Sequence, residues 1–279
     1  MRLREVAIHY AEGPCNGPPL VLLHGIARDW KSFGVLLPEL SAQHHIFALD
    51  FRGHGASGRV ARGYRMHQFA SDVVEFFRTM LPNGAAVFGH SLGGMVGLEV
   101  AADPGCKVRA LIIGDAMISS GNLAHSLYAP LFLQLHELLL QGGTLEELTS
   151  RIGKIRIRVP GIDELVCIED LPGNGEATLR EWARGAMHTD PDALAMTLEG
   201  SAFIGWDPEG LLGRITCPVL LLQANPELDA LLTDADVRLA MKLLRAAEHV
   251  RFPLLGHALF LQQPKPVLRA VHDFLARVG

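Results

Sequence analysis

The segment V-F-G-H-S-L-G-G at residues 87–94 places one serine between two glycines. An apolar stretch at residues 85–88 is typical of a short strand, and the apolar spacing after the serine is typical of a helix. Ser91 therefore falls at a predicted strand-to-helix turn, where the flanking glycines permit a sharp bend. Such a turn exposes the serine hydroxyl and aims the first helical N–H groups at an anion. These are the requirements of a nucleophile that generates an oxyanion, and we predict that role for Ser91.

A serine nucleophile needs a base that accepts its proton, and histidine is the usual choice. The chain has thirteen histidines, most of them in helix-like or loop stretches. His257 differs because it follows the strand-like stretch 249–253, and Gly256 beside it allows an irregular turn. We predict that His257 is the general base.

The elements that must position these residues alternate between strand-like and helix-like segments. The strand-like runs lie at residues 19–23, 45–49, 85–88, 108–113, 218–222 and 249–253. This alternation predicts an α/β fold with a mostly parallel sheet and helices on both faces. Ligands bind beyond the carboxyl ends of strands in such sheets, and polar residues fall at four of those ends: His24, Asp50, Ser91 and Asp115.

Residues 120–205 contain only helix-like segments, separated by glycine-rich breaks at 141–143 and 171–175. The strand-like pattern stops before this stretch and returns after it. We therefore predict a helical insertion over 120–205, between two parts of an α/β core at 1–119 and 206–279.

Composition narrows the classes of function. Apolar residues are 49% and charged residues 20%, as in a globular protein with a large core. The net charge of −5 gives no basic surface for nucleic acid, and no apolar run reaches membrane-spanning length. Charged residues begin at position 2 and no apolar segment of signal-peptide type follows, which argues against a signal peptide and favours a cytoplasmic location. Four widely spaced cysteines predict free thiols, and we expect neither a metal nor a cofactor.

Four motifs together resemble the α/β-hydrolase fold superfamily, in its esterase-like branch with a serine nucleophile and a helical cap. They are His24-Gly25, D-F-R-G-H-G-A-S at 50–57, G-H-S-L-G at 89–93 and Gly256-His257. The resemblance covers both predicted parts of the core, and the insertion falls where that family carries its cap. It implies Ser91 as nucleophile and His257 as base, with the backbone N–H groups of Ile26 and Leu92 forming an oxyanion hole. It also implies that His24 has a structural role.

The third member of the triad is less clearly defined by sequence. The family usually has Gly-x-x-Asp after the strand that precedes the catalytic histidine, and this chain has Ala224 and Glu227 at those positions. The resemblance therefore implies Glu227 as the acid. Asp229 can replace it if the loop is shifted, and Asp115 occupies an alternative position for the acid in this fold.

The serine limits the reactions that the resemblance implies. Haloalkane dehalogenases and epoxide hydrolases of this fold have aspartate where this chain has Ser91. Serine instead implies an acyl-enzyme, and hence hydrolysis of a small-molecule carboxylic ester, thioester or lactone. Two alternatives stay open: a carbon–carbon bond hydrolase with the same triad, and a triad-bearing small-molecule receptor with little turnover.

Overall fold

The computed structural model describes residues 1–119, 128–159, 162–171 and 174–278. Its strands within these ranges are β1 (Tyr10–Glu12), β2 (Pro19–Leu23), β3 (His45–Leu49), β4 (Ala85–His90), β5 (Val108–Gly114), β6 (Arg156–Arg158), β7 (Leu165–Cys167), β8 (Val219–Gln223) and β9 (Ala247–Arg251). Seven of them form one sheet in the order β1-β3-β2-β4-β5-β8-β9. Only β1 runs antiparallel to its neighbour, so the sheet is mostly parallel, as the sequence predicts.

Helices cover both faces of this sheet. In chain order they are α1 (Leu37–Gln43), α2 (Met66–Met80), α3 (Leu92–Ala102), α4 (Ala129–Gln141), α5 (Leu145–Gly153), α6 (Glu176–Met187), α7 (Pro191–Leu198), α8 (Pro208–Arg214), α9 (Asp234–Leu243), α10 (Leu259–Gln262) and α11 (Pro264–Val278). Among the described residues, no helix combines the length and the apolar character needed to cross a membrane.

The inner strands are buried on both faces, which explains their continuous apolar runs. In β2, Leu20 and Leu22 pack into one core with α11, while Val21 and Leu23 pack into the other with α2 and α3. Side chains alternate between the faces of a strand, so each run supplies both cores. The result is a rigid sheet whose carboxyl ends hold the loops of the site.

The described residues between β5 and β8 form α4 to α8 and one strand pair. The prediction of only helix-like segments is wrong at β6 and β7, which pair antiparallel with Arg156 opposite Cys167. Each of these strands has three residues and no fully buried side chain, so it is too short to show an alternating pattern in sequence. After α7, Gly200 has a φ of +77° and leads into a 3-10 turn at Ser201–Phe203.

Candidate active site

Ser91 lies in the sharp turn between β4 and α3. Its φ of +56° and ψ of −120° lie in a region that favours glycine, at a cost of about 1–3 kcal/mol. The turn needs glycine at two positions. A Cβ atom at Gly89 would lie 2.1 Å from the Gly93 carbonyl oxygen, and a Cβ atom at Gly93 would lie 2.0 Å from the Leu23 carbonyl oxygen. Two glycines therefore allow the backbone to press together, and the strained conformation holds Ser91 at the sheet edge.

His257 is paired with a buried carboxylate. Its Nδ1 atom lies 2.6 Å from Oδ2 of Asp115, which has no exposed surface and follows β5 directly. Because an ionised carboxylate only accepts hydrogen bonds, this contact fixes the imidazole proton on Nδ1 and leaves the Nε2 lone pair as a proton acceptor. The arrangement is that of a base with its orienting acid.

Backbone groups hold the Asp115 side chain in place. Its Oδ1 accepts the N–H groups of Ala224 at 3.1 Å and Leu232 at 3.3 Å, and its Oδ2 accepts that of Leu231 at 2.9 Å. Together with His257, four donors converge on one carboxylate. This is possible because β5 and β8 are neighbours in the sheet, so the loop after β8 closes over the end of β5.

The expectation that Glu227 bonds the imidazole of His257 is wrong. Glu227 is exposed to solvent, and its backbone N–H donates to the side chain of Asn225 at 3.0 Å. The loop takes this course because Ala224 binds Asp115 as it leaves β8, while the Asn225 N–H donates to the Leu255 carbonyl. Of the two alternatives from sequence, Asp115 is the partner of His257. The available signal for it was its position at the end of a buried strand.

Asp229 supports the backbone of the histidine loop rather than the imidazole. Its Oδ1 accepts the His257 N–H at 2.6 Å, and its Oδ2 accepts the Tyr128 hydroxyl at 2.6 Å. A Cβ atom at Gly256 would lie 2.2 Å from Oδ1, so glycine is required for this approach. Burial and Asp229 raise the pKa of the Tyr128 hydroxyl well above its ordinary value, which keeps it a donor. Sequence reasoning did not single out Tyr128, whose ring lies 5.1 Å from that of His257.

Two further histidines are structural. His24 donates from Nδ1 to the Gly25 carbonyl at 2.7 Å and accepts the Phe51 N–H at 3.0 Å, which ties the loops after β2 and β3 together. His90 donates from Nε2 to the His257 carbonyl at 2.9 Å. Burial lowers the pKa of His24 to about 4 and that of His90 to about 3, so both are neutral near pH 7. The structural role expected for His24 is in keeping with these contacts.

The two residues predicted to form the oxyanion hole flank the serine. Ile26 and Leu92 line one cavity with Ser91. The loop after β2 passes close to the serine: a Cβ atom at Gly25 would lie only 3.3 Å from the Cβ of Ser91. Leu92 is the first residue of α3, where backbone N–H groups have no partner within the helix. Donation by these two N–H groups to an oxyanion stays a prediction.

The cavity beside Ser91 is almost wholly apolar. It is narrow, with a volume of about 30 Å³. Its remaining lining comes from the core and from the inserted segment: Met66, Met95, Met117, Phe132, Thr197, Phe203 and Leu231. From α4 it is lined by Phe132, whereas Leu133 and Leu140 of the same helix are exposed to solvent. Within the described ranges, no cluster of three or more His, Cys, Asp or Glu side chains is placed to hold a metal ion.

The strained Ser91 follows His90, which bonds the carbonyl of His257, and the His257–Asp115 pair lies at the same edge of the parallel sheet. This arrangement is that of the α/β-hydrolase class. Residues 20–270 match the alpha/beta hydrolase family, and the chain belongs to that family.

Known proteins resemble the chain over different lengths. The putative carbamate hydrolase RutD of Variovorax paradoxus is 30% identical and matches 98% of this chain and 97% of its own length. The magnesium-chelatase 30 kDa subunit of Rhodobacter capsulatus is 38% identical, but the match spans only 33% of this chain and 32% of that protein. The crystal structure of N-formylmaleamic acid deformylase from Pseudomonas putida S16 superposes with a TM-score of 0.76 at 20% identity, covering 96% of this chain and 97% of that one.

Proposed function

We propose that this protein is a serine hydrolase that cleaves carboxylic esters, thioesters or lactones through an acyl-enzyme. Ser91 is the nucleophile, His257 the base and Asp115 the acid that orients it. The observation that carries the proposal is the 2.6 Å contact between His257 Nδ1 and a carboxylate that is fully buried under three backbone donors. The three backbone donors fix the carboxylate, and the carboxylate in turn fixes the tautomer and the orientation of the imidazole.

The reaction follows from these positions. The Ser91 hydroxyl attacks the substrate carbonyl and passes its proton to Nε2 of His257, while Asp115 stabilises the imidazolium. The N–H groups of Ile26 and Leu92 receive the negative oxygen of the tetrahedral intermediate, and each donor contributes on the order of 3 kcal/mol. His257 then protonates the leaving group. Water, activated by the same histidine, releases the acyl group in the second half.

Two other observations support acyl transfer. The backbone strain at Ser91 is of the kind that persists where function requires it. The apolar cavity beside Ser91 suits a hydrocarbon part of a substrate. RutD of Variovorax paradoxus, which is similar over almost the whole chain, is described as a putative carbamate hydrolase, and a carbamate is also cleaved at a carbonyl carbon.

The test is steady-state hydrolysis of p-nitrophenyl esters from acetate to dodecanoate. Ser91→Ala and His257→Gln should each lower kcat by about 10⁴-fold or more, while circular dichroism shows a folded chain. The control is Ser71→Ala, an exposed serine on α2, which should match the wild type.

Other outcomes identify the alternatives. Hydrolysis that persists in Ser91→Ala contradicts the proposal. One slow acylation per chain without turnover indicates a receptor. Cleavage of a carbon–carbon substrate without ester hydrolysis indicates a carbon–carbon bond hydrolase.

A further inference from the structure

Arg28 lies two residues after Ile26 and has no ionic partner among the described residues. The carboxylates that act on it electrostatically belong to Asp29 and Glu181. Both of them contact Arg184 instead, Asp29 at 2.8 Å and Glu181 in a closer pair. Arg184 thus forms the direct ion pairs with both acids, while Arg28 balances their remaining charge only from a distance and forms no direct ion pair with a described residue.

Stacking on an aromatic ring, rather than a hydrogen bond to a described residue, holds the Arg28 side chain in position. Its Cζ atom lies 4.9 Å from the ring centroid of Trp182, a buried residue of α6. Such stacking on an aromatic face stabilises a guanidinium and leaves its N–H groups available at the edge. The backbone is also fixed, because Ala27 has a φ of +55° and a Cβ atom at Gly185 would lie 3.1 Å from Cα of Arg28.

The charge of Arg28 acts on the groups that surround His257. It acts on Tyr128, whose ring lies 5.1 Å from that of His257, and on His90, whose ring lies 4.7 Å from it. Burial lowers the pKa of Arg28 to about 10, so the guanidinium remains charged near neutral pH. A partly desolvated guanidinium without a direct ion pair loses hydration that its distant counter-charges do not fully replace, and an anion that binds there recovers part of that cost.

We propose that Arg28 binds a carboxylate of the substrate, so that the site takes acyl compounds that carry an acid group as well as the bond to be cleaved. The inference rests on the proposed function, since it concerns what the Ser91 site hydrolyses. The apolar cavity beside Ser91 takes the hydrocarbon part, and the guanidinium binds the carboxylate through two parallel N–H···O bonds. Arginine fits this task better than lysine because its planar fork matches a carboxylate.

The test uses two pairs of esters that differ only in a carboxylate. Ethyl valerate and monoethyl glutarate place it on the acyl side, and phenyl acetate and 3-acetoxybenzoate place it on the leaving-group side. Arg28→Met keeps most of the apolar stem and removes the charge. In at least one pair, the ratio of kcat/KM for the acid to kcat/KM for the neutral ester should fall by about 10- to 100-fold, mainly through KM.

Two variants serve as controls. Arg180→Gln removes a charge from an exposed position on α6 and should leave both ratios unchanged. Arg28→Lys should restore only part of the loss, because a point charge cannot form the bidentate contact. Ratios that stay at the wild-type value in Arg28→Met for both pairs overturn the inference, and neutral-ester hydrolysis that depends on Ser91 shows that the proposed function still stands.

A binding measurement keeps the two proposals separable if no ester is turned over. Glutarate is titrated calorimetrically into Ser91→Ala and into the double variant with Arg28→Met. Loss of binding in the double variant supports the inference without any hydrolysis. Equal binding by both proteins, or binding by neither, overturns it.

Discussion

Replacing Asp115 by asparagine keeps the shape of the side chain but removes one of its two acceptor oxygens. In the wild type, Oδ1 accepts the N–H groups of Ala224 and Leu232, and Oδ2 accepts those of Leu231 and His257. The backbone at Asp115 has a φ of +41°, a region that asparagine tolerates as well as aspartate does. The substitution therefore tests hydrogen bonding rather than backbone strain.

The new amide has two orientations. If its NH₂ group replaces Oδ1, the two backbone N–H groups of Ala224 and Leu232 face a donor. If the NH₂ group replaces Oδ2, only the Leu231 N–H loses its partner. An unpaired buried N–H costs about 1–3 kcal/mol, so the second orientation is favoured by about one such penalty.

This favoured orientation turns the amide NH₂ toward His257. Nδ1 must then accept, and the imidazole proton moves to Nε2, where it prevents the ring from taking the proton of Ser91. We expect kcat to fall by about 10²–10⁴-fold, as for other triads whose acid is replaced by its amide. We also expect the free energy of unfolding to fall by about 1–3 kcal/mol, which corresponds to about 2–10 °C in Tm.

The assay is kcat for p-nitrophenyl butyrate, measured beside the Tm of each variant. Glu227→Gln is the matched control, because Glu227 is exposed and should change kcat by less than about twofold. The kcat of Asp229→Asn should lie between those of the other two variants, since Asp229 contacts His257 only at its backbone N–H. If Glu227→Gln is the variant with the large loss of kcat, or if Asp115→Asn keeps kcat within about threefold of wild type, the assignment of the acid is refuted.

Three further predictions follow from strain, burial and the cavity. Ser91→Gly should abolish hydrolysis yet raise the free energy of unfolding by about 1 kcal/mol, because glycine adopts the φ of +56° without strain; a lower Tm in calorimetry contradicts this. Burial raises the pKa of Glu99 from 4.5 to about 7, so the folded chain binds this proton more tightly than the unfolded chain and stability falls as pH rises between those values. Glu99→Gln should flatten that slope in urea titrations, by about 1–3 kcal/mol over the window, and an unchanged slope refutes the assignment. Phe132→Ala should widen the cavity and raise kcat/KM for octanoate relative to butyrate esters by about tenfold, whereas an unchanged ratio places the acyl chain elsewhere.

The sheet is the part of the molecule that sequence predicts best. The run at 45–49 coincides with β3, because strands buried on both faces consist of uninterrupted apolar residues. At the sheet edge, the run at 249–253 differs by two residues from β9 (Ala247–Arg251), in which no residue is fully buried. The hairpin of β6 and β7 has too few residues and too little burial to produce a pattern.

The site also contains one part that local sequence predicts and one part that depends on contacts between distant residues. The turn at Ser91 is encoded locally, since two glycines and a strand-to-helix change lie within a few residues. The partner of His257 is 142 residues away in sequence and depends on β5 lying beside β8. Asp115 and Glu227 both follow strands, and only the hydrogen bonds of the 224–229 loop decide between them. No sequence motif marks Arg28, because its role depends on Arg184 forming the direct ion pairs with Asp29 and Glu181.

The most direct test of the central claim is intact-protein mass spectrometry during turnover. Wild-type protein is mixed with p-nitrophenyl butyrate and quenched in acid on the millisecond scale, and the adduct is mapped by peptide digestion. The acyl-enzyme mechanism predicts one butyryl group per chain, located on the peptide that contains Ser91 and absent from Ser91→Ala. A butyryl group on another residue, or turnover by Ser91→Ala, would contradict it.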